Sequence, residues 1–290
     1  MKIPYYPGCT LNTVAKTFEL SARAAALSVD FEMDELSQWN CCGAAFPLTP
    51  DNVIGLTAPA KVLAHARKTG PELTTLCSVC YNVLKRANKV IKDDREKRGV
   101  INDFIKEDYD GSLNVIHYLE VLRDKVGFGN VKAAVKRPLT GLKAGAYYGC
   151  MLLRPFEDAG IDDAERPVIF EDMLRALGAE PVDFPNRIDC CGAHLAMSNT
   201  ELVTRLSGSV MTSAANMGAE IIVTSCPLCQ YNLDKSQSAV AEHTPGYRPV
   251  PIVYFTQLLG LALGQPEETL GFEKNVWDAR GVLRGKGVGK

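Results

Sequence analysis

This chain of 290 residues lacks several features that mark other classes of protein. It has no run of about eighteen apolar residues, and its opening, MKIPYYPGC, lacks the basic and then apolar layout of a secretory signal. The formal net charge of −2 gives no general attraction to nucleic acid or anionic lipid, although residues 279–290 form a short basic segment. We therefore expect a cytoplasmic protein that inserts no segment into a membrane and binds no nucleic acid.

Cysteine, in contrast, is abundant, because the chain contains ten of these residues. A small secreted protein would use such a number for disulfide bonds, but this chain is long enough for two ordinary domains, and 46% of its residues are hydrophobic. A chain of this size needs no disulfide bonds to build a core. We therefore favour reduced thiolates that serve metal or redox chemistry over a disulfide scaffold.

The cysteines fall into two sets of five with matching spacing. The first set is Cys9, Cys41, Cys42, Cys77 and Cys80, and the second set is Cys150, Cys190, Cys191, Cys226 and Cys229. In both sets, 34 residues separate the adjacent pair from the closing C-x-x-C motif. Flanking residues repeat as well, since YYPGC matches YYGC and each pair lies in CCGA. This is the pattern of an internal duplication, and it predicts two homologous domains, at 1–135 and 136–290.

Each half alternates short β-branched runs with amphipathic segments of helical period. Helical patterns occupy 12–27 and 57–70 in the first half, and 168–178 and 201–218 in the second. The strand-like runs ELTTLC and IIVTSC follow them. Units of this kind predict an α/β fold with a short parallel sheet and flanking helices in each domain.

Four cysteines directly follow strand-like runs, namely Cys9, Cys77, Cys150 and Cys226. The C-terminal ends of parallel strands are where such sheets bind ligands. We therefore expect a ligand site at this edge of each sheet.

Five thiolates are one more than a structural zinc ion or a cubane 4Fe-4S cluster requires, since each of these takes four ligands. Adjacent cysteine side chains diverge, so they suit a single ion poorly but can reach two irons of one polynuclear cluster. Gly43 and Gly192, directly after the pairs, permit the turn that this arrangement needs. A zinc site that leaves one thiol free and a vicinal disulfide that acts as a redox switch are the alternatives at this point.

These motifs resemble those of the cysteine-rich CCG domain, and the chain resembles the catalytic, B-type component of heterodisulfide reductases over nearly its full length. The resemblance rests on YYPGCT, on both CCGA motifs, on VKRPLTGLKAGAYYGCMLLRP and on both C-x-x-C motifs. It implies that each set of five cysteines binds a noncubane 4Fe-4S cluster, which is built like a 3Fe-4S and a 2Fe-2S unit fused through shared atoms. All ten cysteines are then cluster ligands.

The resemblance also implies a reaction and partners. In that family, the two clusters face each other across a cleft that holds the disulfide of coenzyme M and coenzyme B. Electrons arrive singly from an iron-sulfur subunit of the same complex, which in turn receives them from a flavin-bearing subunit. We expect an oxidoreductase that cleaves a small-molecule disulfide homolytically, with one sulfur captured at each cluster. The alternatives are a sulfur-carrier protein's disulfide as substrate, or an electron-transfer and scaffold subunit with zinc in one site.

His194 is the best placed candidate for a proton donor, because it lies three residues after Cys191. It is expected to hydrogen-bond a cluster sulfide, to donate a proton to a leaving thiolate or simply to pack. The corresponding residue of the first half is Ala45 or Phe46, depending on the alignment, so the two halves differ at this position.

Other charged and titratable residues receive weaker assignments. The remaining histidines are expected to carry no chemistry, with His117 in the core, His65 on an amphipathic helix and His243 in a polar loop. Three basic residues near cysteines are candidates for binding the acidic groups of a substrate, namely Lys16, Arg154 and Arg187.

Overall fold

Two four-stranded parallel sheets form the framework of the protein, whose computed structural model describes residues 1–44 and 53–288. The strands of the first half are β1 (Lys2–Tyr5), β2 (Glu32–Glu35), β3 (Glu72–Thr75) and β4 (Asn114–His117). Those of the second half are β5 (Lys143–Ala146), β6 (Glu180–Val182), β7 (Ile221–Thr224) and β8 (Ile252–Tyr254). The strand orders, β2-β1-β3-β4 and β6-β5-β7-β8, are the same, which confirms the predicted duplicated α/β fold.

Helices flank both sheets. In the first half they are α1 (Gly8–Leu11), α2 (Lys16–Ser28), α3 (Val53–Thr69), α4 (Ser78–Asp93), α5 (Arg95–Ile105), α6 (Tyr118–Glu120), which continues as a π-helix (Val121–Val126), and α7 (Phe128–Ala134). In the second half they are α8 (Phe156–Ala159), α9 (Ile169–Ala176), α10 (Thr200–Asn216), α11 (Pro227–His243), α12 (Phe255–Ala262) and α13 (Arg280–Gly285). Four of these helices, α2, α3, α9 and α10, confirm the predicted helical segments to within a few residues.

Burial distinguishes the central strands from the edge strands. All four residues of β7 are buried, as expected for a parallel strand covered on both faces, whereas only Met33 is buried in the edge strand β2. Strand β1 contains Pro4, which has no N–H to donate to a neighbouring strand. Strand β1 therefore pairs with β3 only at Tyr5, which lies opposite Thr74, whereas it pairs with β2 along its whole length.

The two halves pack against each other through α2 and α12. The ring of Phe18 stacks on Tyr254 with centroids 4.3 Å apart, and Ser21 Oγ lies 2.7 Å from Thr256 Oγ1. One continuous apolar core contains buried residues from both halves. The predicted domain boundary at residue 135 falls between α7 and β5, and it stays a prediction.

The three histidines without an assigned role are found in different environments. His117 is fully buried at the end of β4, as predicted, with Nε2 2.8 Å from the carbonyl oxygen of Leu76. Burial lowers its pKa to about 3. His65 lies on α3, as predicted, but the loop prediction for His243 is wrong, because this residue ends α11. The polar composition there belongs to the exposed last turn of a helix.

Candidate metal centres

The cysteines of the first half converge at the C-terminal edge of its sheet. Cys9 lies in α1 directly after β1, the pair Cys41 and Cys42 follows β2, and Cys77 and Cys80 lie at the start of α4, directly after β3. Strands β1 and β3 are neighbours in the sheet, and the chain order reverses between them. The crevice at such a reversal is the usual ligand site of an open parallel sheet.

The second half repeats this placement. Cys150 follows β5, the pair Cys190 and Cys191 follows β6, and Cys226 and Cys229 lie at the start of α11, directly after β7. The predicted location of the cysteines at strand ends is therefore observed in both halves. All ten are free thiols.

In the first half, the sulfur atoms form an outer and an inner pair. Cys9 Sγ and Cys41 Sγ are 3.5 Å apart and belong to exposed residues, whereas Cys42 Sγ and Cys80 Sγ are 3.6 Å apart and buried. Cys77 is also buried, and it contributes with Cys42 to raising the pKa of Cys80. The adjacent cysteines 41 and 42 thus point towards different partners, so the vicinal pair joins the outer and inner thiols.

The second half has the same arrangement with a less exposed outer pair. Cys150 Sγ and Cys190 Sγ are 3.8 Å apart and partly buried, while the buried Cys191 Sγ and Cys229 Sγ are 3.6 Å apart. Cys226 is also buried, and it contributes with Cys191 to raising the pKa of Cys229. Each half therefore presents two thiols towards solvent and keeps three inside.

Each vicinal pair is followed by a glycine with positive φ, as the sequence indicates. Gly43 has φ of +81° and Gly192 has φ of +77°. The N–H of Gly192 donates to Cys190 Sγ at 3.3 Å. The turn therefore lets neighbouring thiols diverge and also supplies a backbone donor to one of them.

A buried tyrosine anchors each vicinal pair through the residue that precedes it. Tyr6 donates its hydroxyl to the carbonyl of Asn40 at 2.8 Å, and Tyr147 donates to the carbonyl of Asp189 at 2.7 Å. Sequence reasoning missed this function. Its signal was present, since a tyrosine stands three residues before the first cysteine of each set.

The second half holds its pair with two further polar side chains. Asn232 donates its amide to the carbonyl of Cys191 at 2.7 Å, and Ser207 donates its hydroxyl to the same oxygen at 3.1 Å. Both residues are buried. The backbone of this cysteine is therefore fixed by side chains from α10 and α11, and the sequence analysis did not single out either Ser207 or Asn232.

The contacts among thiols favour ionisation of particular cysteines. The contact with Cys80 lowers the pKa of Cys42 to about 7, against the effect of burial. In the second half, the contact with Cys150 lowers the pKa of Cys190 to about 5, and the N–H of Gly192 adds to this. Because metals bind thiolates, each vicinal pair contributes a sulfur that is already disposed to coordinate.

His194 lies at the exposed rim of the second site. It is on a short 3-10 turn (Ala193–Leu195), and its Nδ1 is 4.0 Å from Cys190 Sγ. It therefore reaches the outer pair. Its first-half counterpart, Ala45 or Phe46, lies outside the described residues.

The three basic candidates differ in their surroundings. Arg187 is largely buried, and its guanidinium lies 3.2 Å from the carboxylate of Glu171. It therefore serves an internal ion pair. Arg154 is more exposed, donating at 3.3 Å to the carbonyl of Ile188 beside the second pair. Lys16 is the first residue of α2.

Two negative results apply to residues 1–44 and 53–288. Within these ranges, no group of three or more His, Cys, Asp and Glu side chains is arranged to hold a single metal ion. No helix in the same ranges is both long and apolar enough to cross a membrane.

Comparison with known proteins gives a family and several relatives. The model of the cysteine-rich domain CCG matches residues 3–85 and 144–234. The 8-methylmenaquinol:fumarate reductase membrane anchor subunit of Wolinella succinogenes is 35% identical over 95% of this chain and 96% of its own length. The B-type component of a CoB-CoM heterodisulfide reductase from Methanosarcina acetivorans is 30% identical over 94% of this chain and 93% of its own length.

A solved structure has a similar fold. The crystal structure of a hypothetical protein from Helicobacter pylori matches 95% of this chain with a TM-score of 0.74 and 12% identity. This chain spans 51% of that chain. At this identity, the similarity concerns the fold alone.

Proposed function

Because this chain belongs to the cysteine-rich CCG domain family and is homologous to the B-type component of heterodisulfide reductases, we propose that it is the disulfide-reducing subunit of a larger oxidoreductase. Each five-cysteine set binds one noncubane 4Fe-4S cluster in this proposal. The observation that carries it is the presence of two equivalent groups of five free thiols, each at the ligand-binding edge of its own sheet.

The residues present fit such a cluster. The thiols are grouped in close pairs that the vicinal cysteines connect, an arrangement that suits several irons better than one tetrahedral ion. Glycine at position 8 leaves room for the sulfurs, because a Cβ on any larger residue there would lie 2.8 Å from Cys80 Sγ. When bound, iron-sulfur clusters supply electrons singly, and a disulfide needs two electrons and two protons to give two thiols.

The chain's own residues hold and orient the site. Tyr6 and Tyr147 fix the backbone at the vicinal pairs, and the inner thiols keep one side of each site away from water. The outer thiols leave the other side accessible to a substrate. His194 stands at that rim in the second half, where we propose that it donates a hydrogen bond or a proton to a leaving thiolate.

The homology supports a proposal for the substrate and the partners. The methanogen relative is named for the CoB-CoM heterodisulfide, and we propose this compound or a related small disulfide as substrate. A sulfur-carrier protein's disulfide is the alternative, since the outer thiols are accessible. We propose that electrons come from an iron-sulfur subunit that receives them from a flavin-bearing subunit, and a cytoplasmic location remains a prediction.

A second candidate function is electron transfer without disulfide chemistry. The Wolinella relative is named as part of a menaquinol-oxidising fumarate reductase, and it aligns over nearly the full length of both chains. In such a role the two sites would relay charge between partners, and one of them would be able to hold zinc instead of iron.

Metal analysis and a disulfide assay test these proposals. The first proposal expects about eight irons per chain with equal sulfide, and loss of about half in either Cys41→Ser or Cys190→Ser. Ser21→Ala is the control, because it alters a buried residue away from the cysteines. The iron-loaded chain should then reduce a small disulfide with an artificial one-electron donor. Full iron without reduction of any disulfide would support the second candidate, and zinc in place of iron would overturn the cluster assignment for that half.

A further inference from the structure

The two cysteine sites are joined by a direct contact between the halves. Ser78 directly follows Cys77, and Ser225 directly precedes Cys226. The N–H of Ser78 donates to the carbonyl of Ser225 at 3.2 Å, and their hydroxyl oxygens are 2.7 Å apart. Both serines are buried, so water does not compete for these hydrogen bonds.

This contact forms a short bonded route from one site to the other. From the sulfur of Cys77, the route follows covalent bonds to the N–H of Ser78, crosses one hydrogen bond to the carbonyl of Ser225, and follows covalent bonds to the sulfur of Cys226. Electrons couple more strongly through covalent and hydrogen bonds than across a gap of the same length. The inner thiols of Cys77 and Cys226 are therefore linked by a route that crosses a single hydrogen bond.

Aromatic rings pack the same interface between the halves. Tyr254, at the end of β8, is buried and stacks on Phe18 of α2, with ring centroids 4.3 Å apart.

We propose that the Ser78–Ser225 contact is the route by which electrons pass between the two sites. The inference rests on the proposed function, in which both sites hold iron-sulfur clusters. Reducing one disulfide consumes two electrons, and a one-electron donor protein docked at one site delivers them one at a time. One of them then crosses to the other site, and two protons from solvent complete the two thiols. Ser78 and Ser225 are positioning residues, since they carry no ligand atom.

The chain itself suggests the variant that cuts this route. Ser78 is the first residue of α4, and the corresponding first residue of α11 is Pro227. Proline is well tolerated at this helical position, and Cys77 has the extended conformation that a following proline requires. Ser78→Pro therefore removes the N–H donor while both cysteines and the helix remain.

A matched control lies elsewhere in the same interface. Ser21 and Thr256 are also buried, their hydroxyl oxygens are also 2.7 Å apart, and they also join the two halves. Neither residue is adjacent to a cysteine in the sequence. Ser21→Ala therefore removes a buried hydroxyl contact between the halves without touching the proposed route.

The test uses the iron-loaded full chain and compares Ser78→Pro, Ser21→Ala and the parent protein. Rapid freeze-quench electron paramagnetic resonance follows the reduction of the two sites by a one-electron donor, and iron content is measured on the same samples. We expect Ser78→Pro to keep its iron, to lose the exchange interaction between the reduced sites, and to show two separate reduction phases. Ser21→Ala should behave like the parent.

Several outcomes separate the inference from the proposed function. Unchanged exchange interaction and a single reduction phase in Ser78→Pro would overturn the inference while leaving the cluster assignment intact. The same loss in Ser21→Ala would also overturn it, because the effect would then belong to the whole interface. Absence of iron from the parent protein would instead refute the proposed function. If Ser78→Pro does not fold, replacing the backbone amide of residue 78 by an ester, with the serine side chain kept, removes the same N–H donor. An unchanged exchange interaction in that protein overturns the inference.

Discussion

An alanine at position 8 is predicted to damage the first metal site by pressing on one of its thiols. Gly8 has φ of +73°, in the left-handed region that favours glycine, and a Cβ at this position lies 2.8 Å from Cys80 Sγ. Nonbonded carbon and sulfur atoms do not approach so closely. The thiol of Cys80 is buried against Cys42, so the strain falls on the site.

The expected loss of stability has two parts that a control can separate. A side chain in the left-handed region costs about 1–2 kcal/mol, and an extra methyl group in a packed interior adds about 1–3 kcal/mol. Gly8→Ala should therefore lower the free energy of unfolding by about 2–5 kcal/mol. Gly141 has nearly the same φ, +74°, but a Cβ there meets no atom within 4 Å. Gly141→Ala should cost only the first part, about 1–2 kcal/mol.

Urea unfolding measures these losses, and iron analysis shows whether the site is affected. Gly8→Ala should retain only the iron of the second half, whereas Gly141→Ala should retain all of it. Gly149→Ala should fall between the two, since its Cβ would lie 3.3 Å from Cys229 Sγ. Equal stability and full iron content in Gly8→Ala and Gly141→Ala would refute the reasoning, because both variants change the backbone in the same way.

Two other predictions concern residues outside the cysteine sets. Burial lowers the pKa of His117 to about 3 in the folded protein, against an ordinary value of about 6.5. Between pH 6.5 and pH 3 the unfolded chain therefore binds about one more proton than the folded chain, and the free energy of unfolding falls as the pH falls. From pH 7.5 to pH 5.5, this effect should lower the free energy of unfolding by about 1.4 kcal/mol. Urea unfolding of His117→Gln at the two pH values should lack this decrease, and an equal decrease in the variant would contradict the prediction. Arg187→Gln should leave the buried carboxylate of Glu171 without its cation and lower the free energy of unfolding, measured in urea, by about 2–4 kcal/mol. The affinity of the iron-loaded chain for its disulfide substrate should stay unchanged. Weaker substrate binding without a loss of stability would instead favour an anion-binding role.

The local features of the site could be predicted from the sequence because they depend on neighbouring residues. Cys77 and Cys226 follow β-branched runs, and the chain leaves a parallel sheet at such points. Gly43 and Gly192 follow the vicinal pairs, and their positive φ values reflect the turn that the pairs impose. These features required no knowledge of how the two halves meet.

The remaining features depend on distant parts of the chain. Ser78 and Ser225 flank cysteines like any other residues, and only the relative orientation of the two halves makes them partners. Arg187 lies near Cys190 in the sequence, which suggested a role at the substrate, but α9 brings Glu171 to it and makes it an internal cation. Spacing along the chain contains no information about either contact.

The duplicated sites are unequal at their solvent-facing rims, and this inequality is expected to give the proposed electron exchange a direction. The outer cysteines of the first half, Cys9 and Cys41, are exposed, whereas their equivalents in the second half, Cys150 and Cys190, are partly buried. In the second half, His194 Nδ1 also lies 4.0 Å from Cys190 Sγ. Hydrogen bonds and solvent exposure around the sulfurs set the reduction potential of an iron-sulfur cluster. Two clusters held in these surroundings would differ in potential, so an electron crossing between the halves would favour one site over the other.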